Sequence, residues 1–213
     1  MDGKENVDRI CLQVFGAVSA IVSHDLKNTL AIMNENAGLL DDLALMSGDS
    51  GVPAERVQKA AGKVTQQVTR SNAIIKNLNR FAHSGDTPTA RAAVGDILQL
   101  MADLTTRKAA MRNVAVTVQC DPGHQVDTAL FQFESLCYQI LVYLYTVAVA
   151  GTAITVTSHL SEDGLVIRFA AKLQADSGVA TIPGKSEQVL LEALQARCAV
   201  HEDGVLLTLP AMV

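Results

Sequence analysis

The sequence contains no Trp, and aromatic residues make up only 4% of its 213 residues, whereas 49% of the residues are hydrophobic. The core must therefore be aliphatic, which suits helix bundles and layers of helices on a sheet. A run long enough to cross a membrane is also lacking, because the most apolar stretch, residues 136–150, is too short and contains all three Tyr. We expect that stretch to be a buried helix.

The four cysteines, Cys11, Cys120, Cys137 and Cys198, form no CxxC pair and have no His at metal-ligand spacing. This favours reduced, mostly buried thiols over a disulfide framework or a zinc site. A net charge of -5 argues against a nucleic-acid-binding surface. The first residues are charged and lack the apolar segment of a signal peptide. We therefore expect a cytoplasmic protein with no membrane segment and no preceding sensory domain.

Two long helices are predicted in the first part of the chain, because apolar residues recur every three or four positions and so line one face of each helix. The first helix spans about residues 7–46, and a turn at residues 47–51 separates it from a second helix in which Pro53 is the expected first residue. The positions on the two faces are Ile10, Val14, Val18, Val22, Leu26, Leu30, Met33, Ala37, Leu40 and Ala44, then Val57, Ala60, Val64, Val68, Ser71, Ile75, Leu78 and Phe81. A two-helix hairpin cannot bury both faces alone, so we predict a dimeric four-helix bundle, with packing on the rest of the same chain as the alternative.

Residues 83–88 have the composition of a linker, and the pattern after them changes to α+β. Helices are predicted around residues 94–104, 128–149 and 185–198. Strands are predicted over residues 114–119, 153–159, 165–171 and 204–209, with a hairpin turn at Ser161–Gly164. The sequence thus predicts an α+β protein with two domains, residues 1–83 and residues 89–213.

The first helix carries the residues with the clearest chemical potential. If Val22 faces the bundle core, His24 lies about 200° away around the helix and points to solvent. Asn28 follows one turn later on the same side, with Lys27 beside it. On these residues alone, an ordinary solvated surface His is the alternative interpretation.

An exposed imidazole is a nucleophile toward phosphorus. Asp25 is placed to accept a hydrogen bond from one ring nitrogen of His24, which leaves the other nitrogen free. Lys27 favours an approaching anion, and the Asn28 amide is placed to orient a water molecule. The other histidines, His83, His124, His159 and His201, have no carboxylate or Cys at catalytic or metal spacing and are expected to be structural or solvated.

The run His24-Asp25-Leu26-Lys27-Asn28-Thr29-Leu30, in the first helix of a hairpin, resembles the phosphoacceptor motif of bacterial two-component sensor histidine kinases. The resemblance covers about residues 7–82. It implies that His24 is phosphorylated, that Asp25 acts as its base and that Asn28 assists dephosphorylation of the partner.

The elements after the linker are similar in order to the ATP-binding domain of these kinases, but the nucleotide-binding residues differ. Tyr143 and Val147 stand where the family has the Asn residues that hold Mg²⁺. Residues 171–174 replace its Asp-x-Gly-x-Gly sequence, residues 176–180 contain only a lone Asp-x-Gly, and residues 183–186 are too short for a phosphate loop. We predict a kinase-like α/β sandwich without nucleotide motifs, and a chain that binds no cofactor and no metal.

A phosphoacceptor hairpin joined to a degenerate nucleotide domain resembles the histidine phosphotransferases of bacterial phosphorelays. This implies that His24 relays a phosphoryl group between the aspartates of response-regulator receiver domains, one of them supplied by a hybrid kinase. The Mg²⁺ is expected in the receiver, and the second domain as a docking surface. The alternatives are a pseudokinase or phosphatase regulator that uses Asn28 and a non-catalytic dimeric adaptor; an ATP-dependent kinase is the least favoured.

Overall fold

The structure, a computed structural model, describes residues 3–47, 51–174 and 182–210. The chain divides into two compact units. One, the hairpin unit, is Ser19–Asn79, and the other, the α/β unit, is Met1–Val18 together with Arg80–Val213. These units are defined by contacts within the fold and not by domain boundaries along the sequence, so the predicted domain limits at residues 83 and 89 stay a prediction.

The two predicted long helices are present as α1, Gly3–Ser47, and α2, Ala54–His83. No Pro interrupts either helix, and Val, Leu and Ala supply the repeating apolar face. Pro53 precedes α2 rather than beginning it, because its carbonyl oxygen accepts hydrogen bonds from the backbone N–H groups of Arg56 at 3.0 Å and Val57 at 3.3 Å. Most of the predicted turn at residues 47–51 lies outside the described residues.

Within the hairpin unit, the most buried side chains of α1 recur every seven residues, at Val22, Thr29 and Asn36. On α2 the corresponding positions are Ala60 and Gln67. Three of these five are polar, so the seam between the helices is not purely apolar. Asn36 is satisfied within its own helix, because its Nδ2 donates to the carbonyl oxygen of Ile32 at 2.7 Å.

The α/β unit is a layer of helices on a five-stranded sheet. Its elements are β1 Ala90–Ala93, α3 Val94–Met111, β2 Ala115–Gln119, β3 Gln125–Thr128, α4 Leu130–Val147, β4 Ala153–Ser161, β5 Gly164–Ala170, α5 Lys185–Ala193, β6 Arg197–His201 and β7 Gly204–Pro210. The strand order is β2-β4-β5-β7-β6; β2 and β4 are parallel and the other pairs antiparallel. A separate antiparallel pair is formed by β1 and β3. The predicted α+β class and α/β sandwich are confirmed.

The central strands form because apolar residues alternate along them and fill one face of the sheet. That face is built from residues that are at most 4% exposed, namely Ile154, Val156, Leu165, Ile167, Phe169, Val205, Leu207 and Leu209. The helices that contribute to the same core, α3 and α4, contact each other, and α3 also contacts β2 and β4. Gly204 permits a close approach at the start of β7: its φ is +136°, and a Cβ there would lie 1.9 Å from the carbonyl oxygen of Phe169.

Three strands were not predicted, and two helices are shorter than predicted. The helix expected over residues 185–198 ends at Ala193, and Cys198 lies in strand β6. The helix ends because Gln195 adopts a φ of +52° while Ala196 N–H donates to the carbonyl oxygen of Leu191 at 2.8 Å, which closes the last turn. Likewise, α4 begins after strand β3 rather than at residue 128.

One helix among the described residues, α1, is long and apolar enough to cross a membrane by length and composition alone. Core helices of water-soluble proteins and signal sequences meet the same criterion. In this structure α1 contributes the buried Val22 and Thr29 to the hairpin seam. The cytoplasmic location stays a prediction.

Candidate functional site

The predicted site residues lie on one turn and a half of α1. The side chain of His24 is 55% exposed, and Lys27 and Asn28 are also exposed. Asp25 is less accessible, with 20% of its side chain exposed. The structure therefore brings the four residues together on a solvent-facing part of the hairpin unit.

The imidazole of His24 is turned with Nδ1 toward its neighbour. Nδ1 lies 3.8 Å from Oδ1 of Asp25, which is within ion-pair distance but too long for a hydrogen bond. The hydrogen bond expected from the sequence is thus not formed in this conformation. Nε2, on the other side of the ring, is the nitrogen that remains for an approaching electrophile.

The opposite side of this helical segment is held by two hydroxyl groups. Thr29 is fully buried, and its Oγ1 donates to the carbonyl oxygen of Leu26 at 2.8 Å. Oγ of Ser71, on α2, lies 2.7 Å from Oγ1 of Thr29. Because the single hydroxyl hydrogen of Thr29 is already donated to Leu26, the Ser71 hydroxyl is the donor in this second bond. The sequence analysis missed this pair and counted Ser71 with the packing positions. The sequence signal is weak, because Ser71 falls on the predicted packing face of α2 whereas Thr29 lies outside the predicted apolar face of α1.

Positive charge from both helices lies near the level of His24. Because the helices are antiparallel and Thr29 is opposite Ser71, a residue five positions before Thr29 is level with one five positions after Ser71. Those residues are His24 and Lys76, and Lys76 is exposed. Measured from the Thr29–Ser71 contact, however, His24 and Lys76 are rotated by about 140° in opposite senses and so point to opposite sides of the hairpin. Lys27, on the same helix as His24, is the cation that favours an anionic group beside the imidazole.

Apolar side chains remain accessible on one side of the hairpin unit. Leu30 is 57% exposed on α1, and Val57, Val68 and Ile75 are 41%, 44% and 43% exposed on α2. At 100° per residue, these residues are rotated by about 40–100° from the seam positions of their own helices, in the same sense on α1 and on α2. In an antiparallel pair, equal rotation from the seam points both sets of side chains to the same side, where they form one apolar stripe. His24 lies on the opposite side of α1.

The residues compared with the nucleotide-binding positions of the kinase family make other contacts in this structure. Val147 is 2% exposed, and its carbonyl oxygen accepts a hydrogen bond from the backbone N–H of Gln174 at 2.9 Å. Val149 N–H donates to the carbonyl oxygen of Lys172 at 2.8 Å. The chain after β5 therefore pairs with the end of α4. Burial raises the pKa of Tyr143, the other position compared with the family's Asn residues. The segment of residues 176–180 lies outside the described residues.

The start of α5 is capped by its own carboxylate. Gly184 N–H donates to Oε2 of Glu187 at 2.8 Å, which places a negative charge at the helix N-terminus. A phosphate group at this position would meet that charge. Residues 183–186 thus form an ordinary helix start in the described chain.

Two of the remaining histidines have side-chain partners that the sequence analysis did not expect. His83 Nδ1 lies 2.7 Å from Oδ2 of Asp86, so the expectation that His83 lacks a carboxylate was wrong. The spacing was overlooked because the two residues meet across the turn that ends α2. His124 Nδ1 lies 2.8 Å from Oγ of Ser158. No group of three or more His, Cys, Asp or Glu side chains in the described ranges has the arrangement of a metal site.

Comparison with solved structures finds the same architecture in sensor kinases, while no protein-family model and no curated protein matches the sequence. Histidine kinase AdeS of Acinetobacter baumannii matches with a TM-score of 0.50 at 10% identity, over 89% of this chain and 98% of that one. This chain has the fold of a histidine kinase. A histidine kinase from Burkholderia phymatum STM815 matches at 14% identity over 90% of this chain and 98% of that one, with a TM-score of 0.46. The histidine-kinase-like fold contains both the hairpin with His24 and the α/β unit.

Proposed function

We propose that this chain is a histidine phosphotransferase of a two-component phosphorelay, in which His24 carries a phosphoryl group between the aspartates of two receiver domains. The observation that carries the proposal is the exposed His24 imidazole, with Asp25 near Nδ1 and with Lys27 and Asn28 also exposed. The histidine-kinase-like fold supports it, since the segment with His24 lies in the first helix of a helical hairpin. The partners are response-regulator receivers, one of which belongs to a hybrid kinase.

In the proposed reaction, Nε2 of His24 attacks the phosphorus of a receiver's aspartyl phosphate. The P–N bond forms while the P–O bond breaks, and the receiver's carboxylate leaves with the electron pair. A neutral ring becomes positively charged in this step, and the Asp25 carboxylate stabilises that charge from the side of Nδ1. The reverse reaction passes the group to a second receiver. The Mg²⁺ that balances the phosphoryl charge belongs to the receiver in this proposal.

The phosphoryl group is proposed to come from another protein and not from ATP. Three features support this: Val147 is buried at a position expected for a metal-binding Asn, backbone pairs join the end of α4 to the segment after β5, and Glu187 caps α5. Each of these features lies at a position compared with the nucleotide-binding residues of the kinase family. The α/β unit is proposed to serve instead as a docking surface for the receivers.

We also propose that two chains associate through the accessible apolar side of the hairpin unit to form a four-helix bundle. The stripe that includes Leu30 on α1 and Val68 on α2 is left exposed in a single chain. Burial of such a stripe against its copy is the ordinary way in which a helical hairpin completes its core. Because His24 lies on the other side of α1, both imidazoles remain exposed in this arrangement.

Asn28 favours a second candidate function, dephosphorylation of a receiver. Its amide is exposed one helical turn after His24 and rotated from it by about 40°. A side-chain amide at this place can hold a water molecule in line with a phosphoryl group docked at the hairpin. The output would then be loss of phosphate instead of its transfer.

The test is phosphotransfer from phosphorylated receivers to the full chain, compared among the wild type, His24→Ala and Asn28→Ala. His159→Ala serves as a matched control because His159 is also an exposed histidine. The wild type and the control should be labelled, and His24→Ala should not. Equal labelling of His24→Ala would refute the proposal.

The same assay separates the other functions. Receiver dephosphorylation that is lost only in Asn28→Ala favours the phosphatase. Receiver binding without phosphate on any variant favours the adaptor. Labelling with ATP alone would show that the chain is a kinase.

A further inference from the structure

Glu134 is the only charged residue of α4, and it is buried. Its relative exposure is 2%, in a helix whose neighbouring side chains are almost all apolar. Burial raises the pKa of Glu134 from 4.5 to about 7, while the hydrogen bond from Ser84 and the charge of Arg80 act in the opposite direction. Because an uncompensated buried charge is costly, a carboxyl group in this position is expected to be either protonated or paired with an opposite charge.

The hydrogen bonds around Ser84 require one more proton than its hydroxyl can provide. Ser84 Oγ lies 2.7 Å from the carbonyl oxygen of Phe81 and is also hydrogen-bonded to Oε2 of Glu134. A carbonyl oxygen only accepts, and a serine hydroxyl has a single hydrogen. When Ser84 donates to Phe81, the second bond forms only if Glu134 is protonated and donates. An ionised Glu134 would leave one of these two contacts without a hydrogen.

The charges around this site leave the proton in place. In the turn after α2, the side chains of His83 and Asp86 face each other, with Nδ1 of His83 2.7 Å from Oδ2 of Asp86. From α2, Arg80 is about half exposed, and its guanidinium lies 3.9 Å from Oδ2 of Asp96 on α3. Its charge is therefore shared with another carboxylate and screened by solvent. On α4 itself the nearest titratable group is Cys137, a fully buried thiol whose pKa is also raised by burial. On α1, Cys11 is buried, and burial raises its pKa as well.

The same residues connect the end of α2 to α4. Ser84 directly follows α2, and Asp86 N–H donates to the carbonyl oxygen of His83 at 3.2 Å. Beside this turn, Phe81 is fully buried; its ring stacks with that of Phe15 at 6.1 Å between centroids and packs at a tilt against that of Phe131 at 5.1 Å. The aromatic cluster does not depend on protonation. A change at Glu134 should thus affect the turn after α2 and not the whole unit.

We propose that Glu134 and Ser84 form a proton-controlled latch, in which the protonated carboxyl group holds the segment of residues 83–88 to α4 and its deprotonation releases that segment. The O–H bond of the carboxyl group breaks, its electron pair stays on the carboxylate, and the proton passes to solvent. Release begins at the Glu134–Ser84 contact, because the new carboxylate gains stability by moving toward water. The latch controls the chain directly after α2, and it is independent of whether His24 carries phosphate.

The test is amide hydrogen exchange of residues 83–88 in the full chain between about pH 5.5 and about pH 8.5, corrected for the intrinsic exchange rate. In the wild type, protection should fall by roughly one to two orders of magnitude, with a midpoint near the titration of Glu134. Glu134→Gln should keep the segment protected at every pH, since its amide donates to Ser84 without titrating. Ser84→Ala should leave the segment unprotected throughout. Glu162→Gln, a change at an exposed turn, should behave like the wild type.

A second measurement, the carboxyl ¹³C titration of Glu134 in the wild type, needs no variant to fold. A titration midpoint near neutral pH that coincides with the change in protection supports the latch. Protection that does not change with pH in the wild type would overturn it. A Glu134→Gln variant with the same pH dependence as the wild type, or a carboxyl group that titrates near its ordinary value, would do so as well.

Discussion

Substitution of Leu30 by Glu should separate the proposed dimer into single chains. Leu30 is 57% exposed in the single chain and lies in the middle of the accessible apolar stripe. In a symmetric dimer each substitution occurs twice, so its effect on association is doubled. The change also places a carboxylate in the proposed dimer interface, from which water is excluded, and its desolvation adds to the cost of the lost apolar contact.

The size of the effect follows from the exposed fraction. Full burial of a Leu side chain contributes about 1.5–3 kcal/mol, so the 57% that remains exposed corresponds to roughly 1–1.7 kcal/mol per chain. The two chains of a dimer together lose roughly 2–3 kcal/mol, which weakens Kd by about 30- to 200-fold before any charge effect. We therefore expect a loss of at least about 100-fold for Leu30→Glu once desolvation of the carboxylate is included.

Sedimentation equilibrium over a range of concentrations measures this Kd directly. Leu39→Glu is the matched control, because Leu39 is 48% exposed on the same helix and lies nine residues later, about 180° around it. Leu39→Glu should leave association near the wild-type value. If Leu30→Glu remains as dimeric as the wild type, or if both variants weaken the dimer equally, the assigned face is wrong.

Three further predictions concern stability. The pKa of Glu134 is raised from 4.5 to about 7, so the folded state binds this proton more tightly than the unfolded state does, and stability should fall by roughly 3 kcal/mol as pH rises from below 4.5 to above 7. Urea unfolding should show this slope in the wild type, and a slope of equal size in Glu134→Gln would contradict it. Thr29→Val should cost about 1 kcal/mol, and a double-mutant cycle with Ser71→Ala should show coupling; strict additivity would mean that the hydroxyl pair contributes nothing. Gln195→Gly should stabilise the protein by about 1 kcal/mol in thermal unfolding, because Gln195 has a φ of +52°, and a destabilised variant would show that the Gln side chain makes a compensating contact.

The long helices and central strands could be predicted because their patterns repeat many times. α1 contains a dozen turns of one apolar period, and β5 and β7 alternate cleanly between buried and accessible residues. The strands that were missed give no such signal. β1 and β3 have four residues each, and β6 is an edge strand with four of its five residues exposed. The pairing of β1 with β3 also joins residues more than 30 positions apart, whereas β6 pairs with β7, the next strand along the chain.

The candidate site was predictable only in part, for a related reason. The exposed side of His24 follows from helical geometry, and the fold agrees with the element order that the motif suggested. The contact between Thr29 and Ser71 joins residues 42 positions apart, and only Ser71 falls on a predicted packing face. Glu134 was likewise visible as a single acid in an apolar helix. Its burial and its contact with Ser84 depend on the way in which α2 ends.

The hydroxyl pair in the hairpin seam has a consequence for the position of His24, the proposed phosphoacceptor. The aliphatic positions of the seam, such as Val22 and Ala60, would tolerate a shift of α1 along α2 by seven residues. That shift would bring Thr29 opposite Val64 or Leu78 and leave both hydroxyls without their present partner. The pair therefore favours the present axial register over one shifted by seven residues. This contact thereby stabilises the axial position of His24 along the hairpin, with which a receiver's aspartate would have to align in the proposed phosphotransfer.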